Sequence, residues 1–233
     1  MKTGDVIERL KSMESPKDRE GMARFGINPK NTLGISIYKL RPMAKELGRD
    51  HKLAKELWAS GIHEARILAV FVEDPRLVTE DQMDSWANDF DSWDVCDQAC
   101  TSLFDQTPFA YKKALEWAKR DEEYVKRGAF SLMAGLAVHD KKASDKDFEK
   151  LFPAIIKAST DERNYVRKAV SWALRNIGKM RNENLRRRAI EVANEIKRAY
   201  PESKSAKWIA SDVIRELESD AVKARLRKKG KIV

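Results

Sequence analysis

Apolar side chains recur along much of this chain every three to four residues, the spacing that gathers them on one face of an α-helix. In "YVRKAVSWALRNIG" (165–178), Val166, Ala169, Val170, Ala173, Leu174 and Ile177 fall on one side of a wheel turned by about 100° per residue. "YVKRGAFSLMAGLA" (124–137) gathers Val125, Ala129, Leu132, Met133 and Leu136 in the same way, and "SWDVCDQACTSLF" (92–104) gathers Val95, Cys96, Ala99, Cys100 and Leu103. The first two follow acidic residues, "TDERN" and "RDEE", which suit a helix N-terminus because carboxylates there favour the macrodipole. Each of those two is preceded by another helix-like segment, "KDFEKLFPAIIKAS" or "PFAYKKALEWAKR".

Segments 124–137 and 165–178 align without gaps at an offset of 41 residues. That period belongs to helical-hairpin repeats of the HEAT type, which run to about 40 to 47 residues. Upstream, "SGIHEARILAVFVE" (60–73) and 92–104 supply two more inner helices, although off a clean multiple of the period. "NENLRRRAIEVANEIKRAY" and "SAKWIASDVIRELES" close the C-terminal end. The pattern predicts an all-α fold, a single curved α-solenoid of about five or six antiparallel helix pairs with a concave face. One domain is expected over 1–233, with a loosely ordered start at 1–20 and a basic, flexible tail at 225–233.

Composition narrows the class. With 42% hydrophobic and 36% charged residues and seven prolines, the chain reads as soluble and helix-rich. The run "ILAVFV" (67–72) is far shorter than the roughly 20 residues that span a bilayer, and the first twenty residues hold no apolar signal core. A cytoplasmic protein without a membrane partner is expected. Cys96 and Cys100, one turn apart on an apolar face, read as small core fillers and not as a disulfide. His51, His63 and His139 are scattered without zinc spacing, and no phosphate loop, dinucleotide fingerprint or GxSxG elbow is present, so neither metal nor cofactor is expected. His63, in "GIHEAR", reads as a residue that orders a helix start.

The net charge of +9 is unevenly placed. Residues 178–233 carry sixteen Lys/Arg against eight Asp/Glu, whereas 73–97 carry nine carboxylates against Arg76 alone. Such a division suits a protein that lays one face on a polyanion, a solvated basic tail being the ordinary alternative. On the wheels, Lys168, Trp172, Arg175 and Lys179 fall in a narrow band opposite the core stripe. Arg127 points outward at the repeat position equivalent to Lys168, and Trp93 and Asp97 lie on the rim of their helix with Phe104 nearby. Singly, each has a plain reading: an Asp early in a helix answers the macrodipole, a Trp is core, and an Arg in such repeats braces its neighbour. Together, three successive helices offer an aromatic and a carboxylate, then a cation, then an aromatic among cations, along one surface.

These residues carry a resemblance. Through "GISIYKLRPMAKEL" (34–47), "ELWASGIHEARILA" (56–69) and "KAVSWALRNIGK" (168–179), and most specifically through "SWDVCD", "YVKRGA" and "KAVSWALR", the chain resembles the AlkD-like family of DNA alkylation repair glycosylases. The resemblance implies that Trp93 and Asp97 match the catalytic aromatic and carboxylate, Trp172 the second aromatic of the cleft, and Arg127 the DNA-contacting arginine. It further implies a monomer acting on double-stranded DNA that contains N3- or N7-alkylated purines, without flipping the base into a deep pocket. The family's N-terminal cleft Tyr is replaced, near "MARFGINPKNTLGI", with Phe25 as the candidate. The acidic run before Trp93, a poor neighbour for phosphate, is expected on the convex side.

The residue types fit that chemistry. Breaking the purine–sugar bond builds positive charge on the deoxyribose, which a carboxylate stabilises. An alkylated purine is already a cationic leaving group, so no partner acid is needed beside Asp97. The indoles of Trp93 and Trp172 offer π faces to positive charge, worth about 0.5 to 2 kcal/mol each. Arg127, Lys168, Arg175 and Lys179 suit phosphates, which fix register without reading sequence. Two other classes stay open: a non-catalytic HEAT-like protein that binds damaged or branched DNA, which needs the basic face but not Asp97, and a protein-binding scaffold, which needs neither.

Overall fold

Helix starts along the chain are set by short polar caps. Ser15, Asp50, Thr79, Asn182 and Ser203 each accept a backbone N–H from the first turn that follows. The computed structural model describes residues 2–230, and among these every regular element is helical. None of the described helices is long and apolar enough to cross a membrane. The all-α expectation holds, and the helices group into two compact units, Met1–Thr107 and Pro108–Val233.

The first unit contains α1 (Thr3–Lys11), α2 (Pro16–Arg24), α3 (Ile37–Leu47), α4 (His51–Ala59), α5 (His63–Val72), α6 (Glu80–Asn88) and α7 (Trp93–Ser102). Helix α5 is its centre, packed against α1, α3, α4 and α7, and most of its residues from His63 to Val72 are buried. Outside it, α4 and α6 are held by the Trp58 and Trp86 indoles, stacked with centroids 4.0 Å apart, while Trp58 Nε1 donates to Asp89 at 2.8 Å. Much of the segment expected to start loosely is helical, as α1 and α2.

The second unit stacks α8 (Ala110–Trp117) on α9 (Glu123–His139), α11 (Phe152–Ala158) on α12 (Asn164–Met180) after the short α10 (Asp145–Glu149), and α13 (Glu183–Ala199) on α14 (Lys204–Leu217), ending in α15 (Asp220–Gly230). Part of the expected basic tail is therefore the end of α15. Residues 231–233 of that tail lie outside the described residues.

Helices α9, α12 and α14 lie side by side, and polar bonds between them repeat the period seen in the sequence. Asn176 Nδ2 donates to the Ala134 carbonyl 42 residues earlier, and Ser171 Oγ donates to Asp212 Oδ2, 41 residues later, at 2.7 Å. Between the repeats, Arg163 Nη1 reaches the Asp121 carbonyl at 2.5 Å, and Arg181 reaches those of Asp140 and Ala143. Gly178 marks a close approach of the helices: a Cβ there would stand 2.5 Å from Leu217 Cδ1 and 3.2 Å from Ala189 Cβ.

The buried Asp212 holds Ser171, Arg175 and Arg215 at once. Asp212→Ala leaves the Ser171 hydroxyl without its acceptor and Arg175 without one of its carboxylates. It is expected to destabilise the second unit by about 3 kcal/mol, read as a lowered urea midpoint. An unchanged midpoint would show that the ladder contributes nothing.

Candidate active site and nucleic-acid interface

Helix α7 begins where the buried Ser92 leaves extended backbone. Trp93 is its first residue and Asp97 follows one turn later; both are partly exposed, while Val95, Cys96, Ala99 and Cys100 are fully buried on the other side. Cys96 and Cys100 are thiols, and burial, then Cys96, pushes the Cys100 thiol well above its ordinary value, which removes it as a nucleophile. Phe104, expected near the rim, is instead fully buried, its ring 6.1 Å from Trp86. It lies beyond the end of α7 in a short 3₁₀ turn, Phe104–Gln106, so the α7 wheel no longer applies to it.

Three sets of bonds make this rim rigid. Trp93 Nε1 donates to the Phe25 carbonyl at 3.0 Å, so the C-terminal end of α2 is pinned to the start of α7, with the Phe25 ring 77% exposed beside it. The following loop is held from within by Glu64, fully buried on α5, which accepts the backbone N–H groups of Leu33, Gly34 and Ile35 at 2.8, 2.8 and 3.0 Å. Gly34 is required there: its φ is +83°, and a Cβ would stand 2.2 Å from the Ser15 carbonyl oxygen. Finally, His63 Nε2 meets Asp94 Oδ2 at 2.9 Å, and Ser92 Oγ donates to Asp94 Oδ1 at 2.6 Å, clamping α7 to α5.

Burial opposes charge on both members of that clamp, yet the mutual hydrogen bond and attraction outweigh it. His63 is held above its ordinary pKa and Asp94 below. Within the acidic run from Glu73 to Asp97 several carboxylates have partners inside the unit, although Asp81, Asp89 and Asp91 stay exposed. Glu73 is fully buried against His51 and Gln82, Asp74 pairs with Arg76, Asp89 accepts from Trp58, and Asp91 accepts from Asn28.

In the second unit the four expected phosphate cations part company. Lys168 is exposed and, among the described residues, has no ionic partner, and Trp172 is partly exposed one turn further along α12. Arg127 is not outward but 7% exposed, with Nη1 donating to the Tyr165 carbonyl at 2.7 Å. The wheel failed there because α9 is flanked by both α8 and α12, which bury twelve of its seventeen residues. Arg175 and Lys179 are half-buried and both reach Glu216 of α14, Lys179 at 2.7 Å. Among the described residues no three His, Cys, Asp or Glu side chains group as a metal site requires.

The model of a family described as DNA alkylation repair enzyme matches residues 6–212. The chain belongs to this family. The resemblance carried by "SWDVCD", "YVKRGA" and "KAVSWALR" is thereby shown at the level of the family. A solved structure from "a new family of proteins related to the HEAT-like repeat DNA glycosylases with affinity for branched DNA structures" matches with a TM-score of 0.71 and 19% identity, covering 84% of this chain and 83% of that one. At that identity the likeness shows the fold, a HEAT-like array. An engineered protein (TM-score 0.40, 13% identity, 77% of this chain and 90% of that one) and a designed armadillo repeat protein in complex with the peptide (KR)4 (0.34, 14%, 83% and 80%) also match. No curated protein sequence matches the chain.

For a DNA alkylation repair family member, the groups least visible in the sequence are those behind the rim. "GIHEAR" suggested an ordered helix start, but not that His63 and Glu64 each reach a different segment. Their contribution depends on pH. His63, with its pKa raised by folding, contributes fully below about 6.5 and loses its contribution as pH rises through the folded value. Asp94, with its pKa lowered, contributes above about 3.9 and loses its contribution as pH falls through its folded value. The unfolding midpoint of the first unit is therefore expected to fall as pH is raised from about 6 into the alkaline range, whereas His63→Gln is less stable and flatter over that range. Parallel pH profiles for the two proteins would remove the clamp.

Proposed function

We propose that this protein is a monofunctional DNA glycosylase that excises cationic N3- or N7-alkylated purines from duplex DNA. The observation that carries the reading is the rim of α7: Trp93, pinned to the Phe25 carbonyl, and Asp97 one turn on, both partly exposed over a buried, rigid base. Membership of the alkylation repair family supports it.

Asp97 stabilises the oxocarbenium-like sugar, and Trp93 lies against the nucleotide and keeps water from its flank. Attraction between unit charges about 4 Å apart is roughly 4 kcal/mol at an effective dielectric near 20, and each 1.36 kcal/mol is about tenfold in rate. Asp97 therefore supplies at most on the order of a thousandfold, enough for a labile cationic lesion and too little for an unmodified nucleotide. Lys168 and Trp172 form the DNA-facing band of α12. Arg127 acts through α12, which it braces at Tyr165, and Arg175 and Lys179 chiefly hold α14.

Release of free base from methylated duplex decides the reading. Wild type is expected to release 7-methylguanine or 3-methyladenine, and Asp97→Asn to do so about a hundred- to a thousandfold more slowly. Equal rates would take Asp97 out of the mechanism. A folded wild type that binds duplex and releases nothing would instead be a non-catalytic binder, the reading favoured by the branched-DNA affinity described for the structural neighbour.

Binding separates the cations of α12. Lys168→Ala is expected to weaken duplex binding and lower the slope of log K against log salt by about 0.9. Arg175→Ala is expected mainly to lower the unfolding midpoint. The reverse pattern would place the phosphates on the flank of α12 and not on its outward band.

A further inference from the structure

Helix α14 packs against α12. Residues 164–172 and 203–211 carry Arg167, Lys168, Lys204 and Lys207 and no carboxylate. Lys168, Lys204 and Lys207 are exposed and, among the described residues, have no ionic partner. Between the two helices the Arg167 guanidinium lies over the Trp208 ring, 5.2 Å from its centroid, yet Trp208 remains 38% exposed.

Arg167 is unlike the other arginines of α12 and its approach. Arg163 is held by Asp161 and the Asp121 carbonyl, and Arg175 by Asp212 and Glu216. Arg167 has a buried Nε with no hydrogen-bond partner, and among the described residues its guanidinium makes no ion pair. Glu162 feels its charge but spends Oε1 on Ser203 Oγ and Ser205 N, each at 3.0 Å. A guanidinium with its donors unspent, held in place by an indole, is a preorganised phosphate ligand.

The exposed indole beside it selects among phosphates. In duplex DNA the base faces are already stacked, so Trp208 gains little there, whereas an unpaired base stacks on an aromatic ring for about 1 to 3 kcal/mol. We propose that Arg167 and Trp208, flanked by Lys168, Lys204 and Lys207, form a subsite for an unpaired nucleotide of a single-stranded DNA segment, with the phosphodiester on Arg167 and the base on Trp208. The proposal rests on the DNA-binding part of the proposed function and not on excision.

The test compares a blunt duplex with the same duplex carrying a single-stranded extension, by fluorescence anisotropy on the full chain. Wild type is expected to prefer the extended duplex. Trp208→Ala is expected to lose about tenfold in affinity for it, with the blunt duplex changed less than twofold, and Trp208→Phe to recover most of the loss. Arg167→Gln is expected to lower the salt slope for single strands by about 0.7. Equal affinity of wild type for both DNAs, or an equal loss on both in Trp208→Ala with unchanged circular dichroism, would overturn the subsite and leave only backbone electrostatics. Absence of base release by wild type from blunt methylated duplex would sink the glycosylase reading without touching this comparison.

Discussion

An inner helix of a stacked array has neighbours on both flanks, and whatever polar groups those flanks carry must find partners there. This lateral packing governs the second unit. Helix α9 is buried over most of its circumference, so Arg127 turns its guanidinium into the Tyr165 carbonyl instead of into solvent. On α12 the same demand takes Asn176 toward α9 and Ser171, Arg175 and Lys179 toward α14. Lys168 and Trp172 are left on the narrow outward band, and Arg167 lies over Trp208 of α14.

The first unit solves a related problem with buried charge. Acidic residues are dense before Trp93, and left on the surface they would repel a phosphate backbone. Several are engaged by neighbouring groups, and Glu73 is out of solvent altogether. Glu64 holds the loop after α2, Asp94 with His63 holds α7, and Trp93 closes the set through Phe25. The consequence is a fixed rim on which Trp93 and Asp97 stand, both partly exposed.

Family membership and physical reading support each other at different depths. The family model and the HEAT-like neighbour establish the kind of protein and its fold. The proposed preference for a labile, already cationic substrate comes from the chemistry of the leaving group and not from the fold.

By itself the sequence determined the helices, the 41-residue period and the core face of each inner helix, because these depend on spacing within one helix and on similarity between repeats. Cys96 and Cys100 inward, with Trp93 and Asp97 on the rim, were legible for the same reason. Tertiary structure alone decided the fates of Arg127, Arg175 and Lys179, the clamp of His63 on Asp94, and the placing of the Arg167 guanidinium over Trp208. A helical wheel records the angle of a side chain about its own axis. Whether that angle meets water, a carbonyl or a carboxylate depends on a neighbouring helix some 30 to 40 residues away, whose depth and register no local pattern contains.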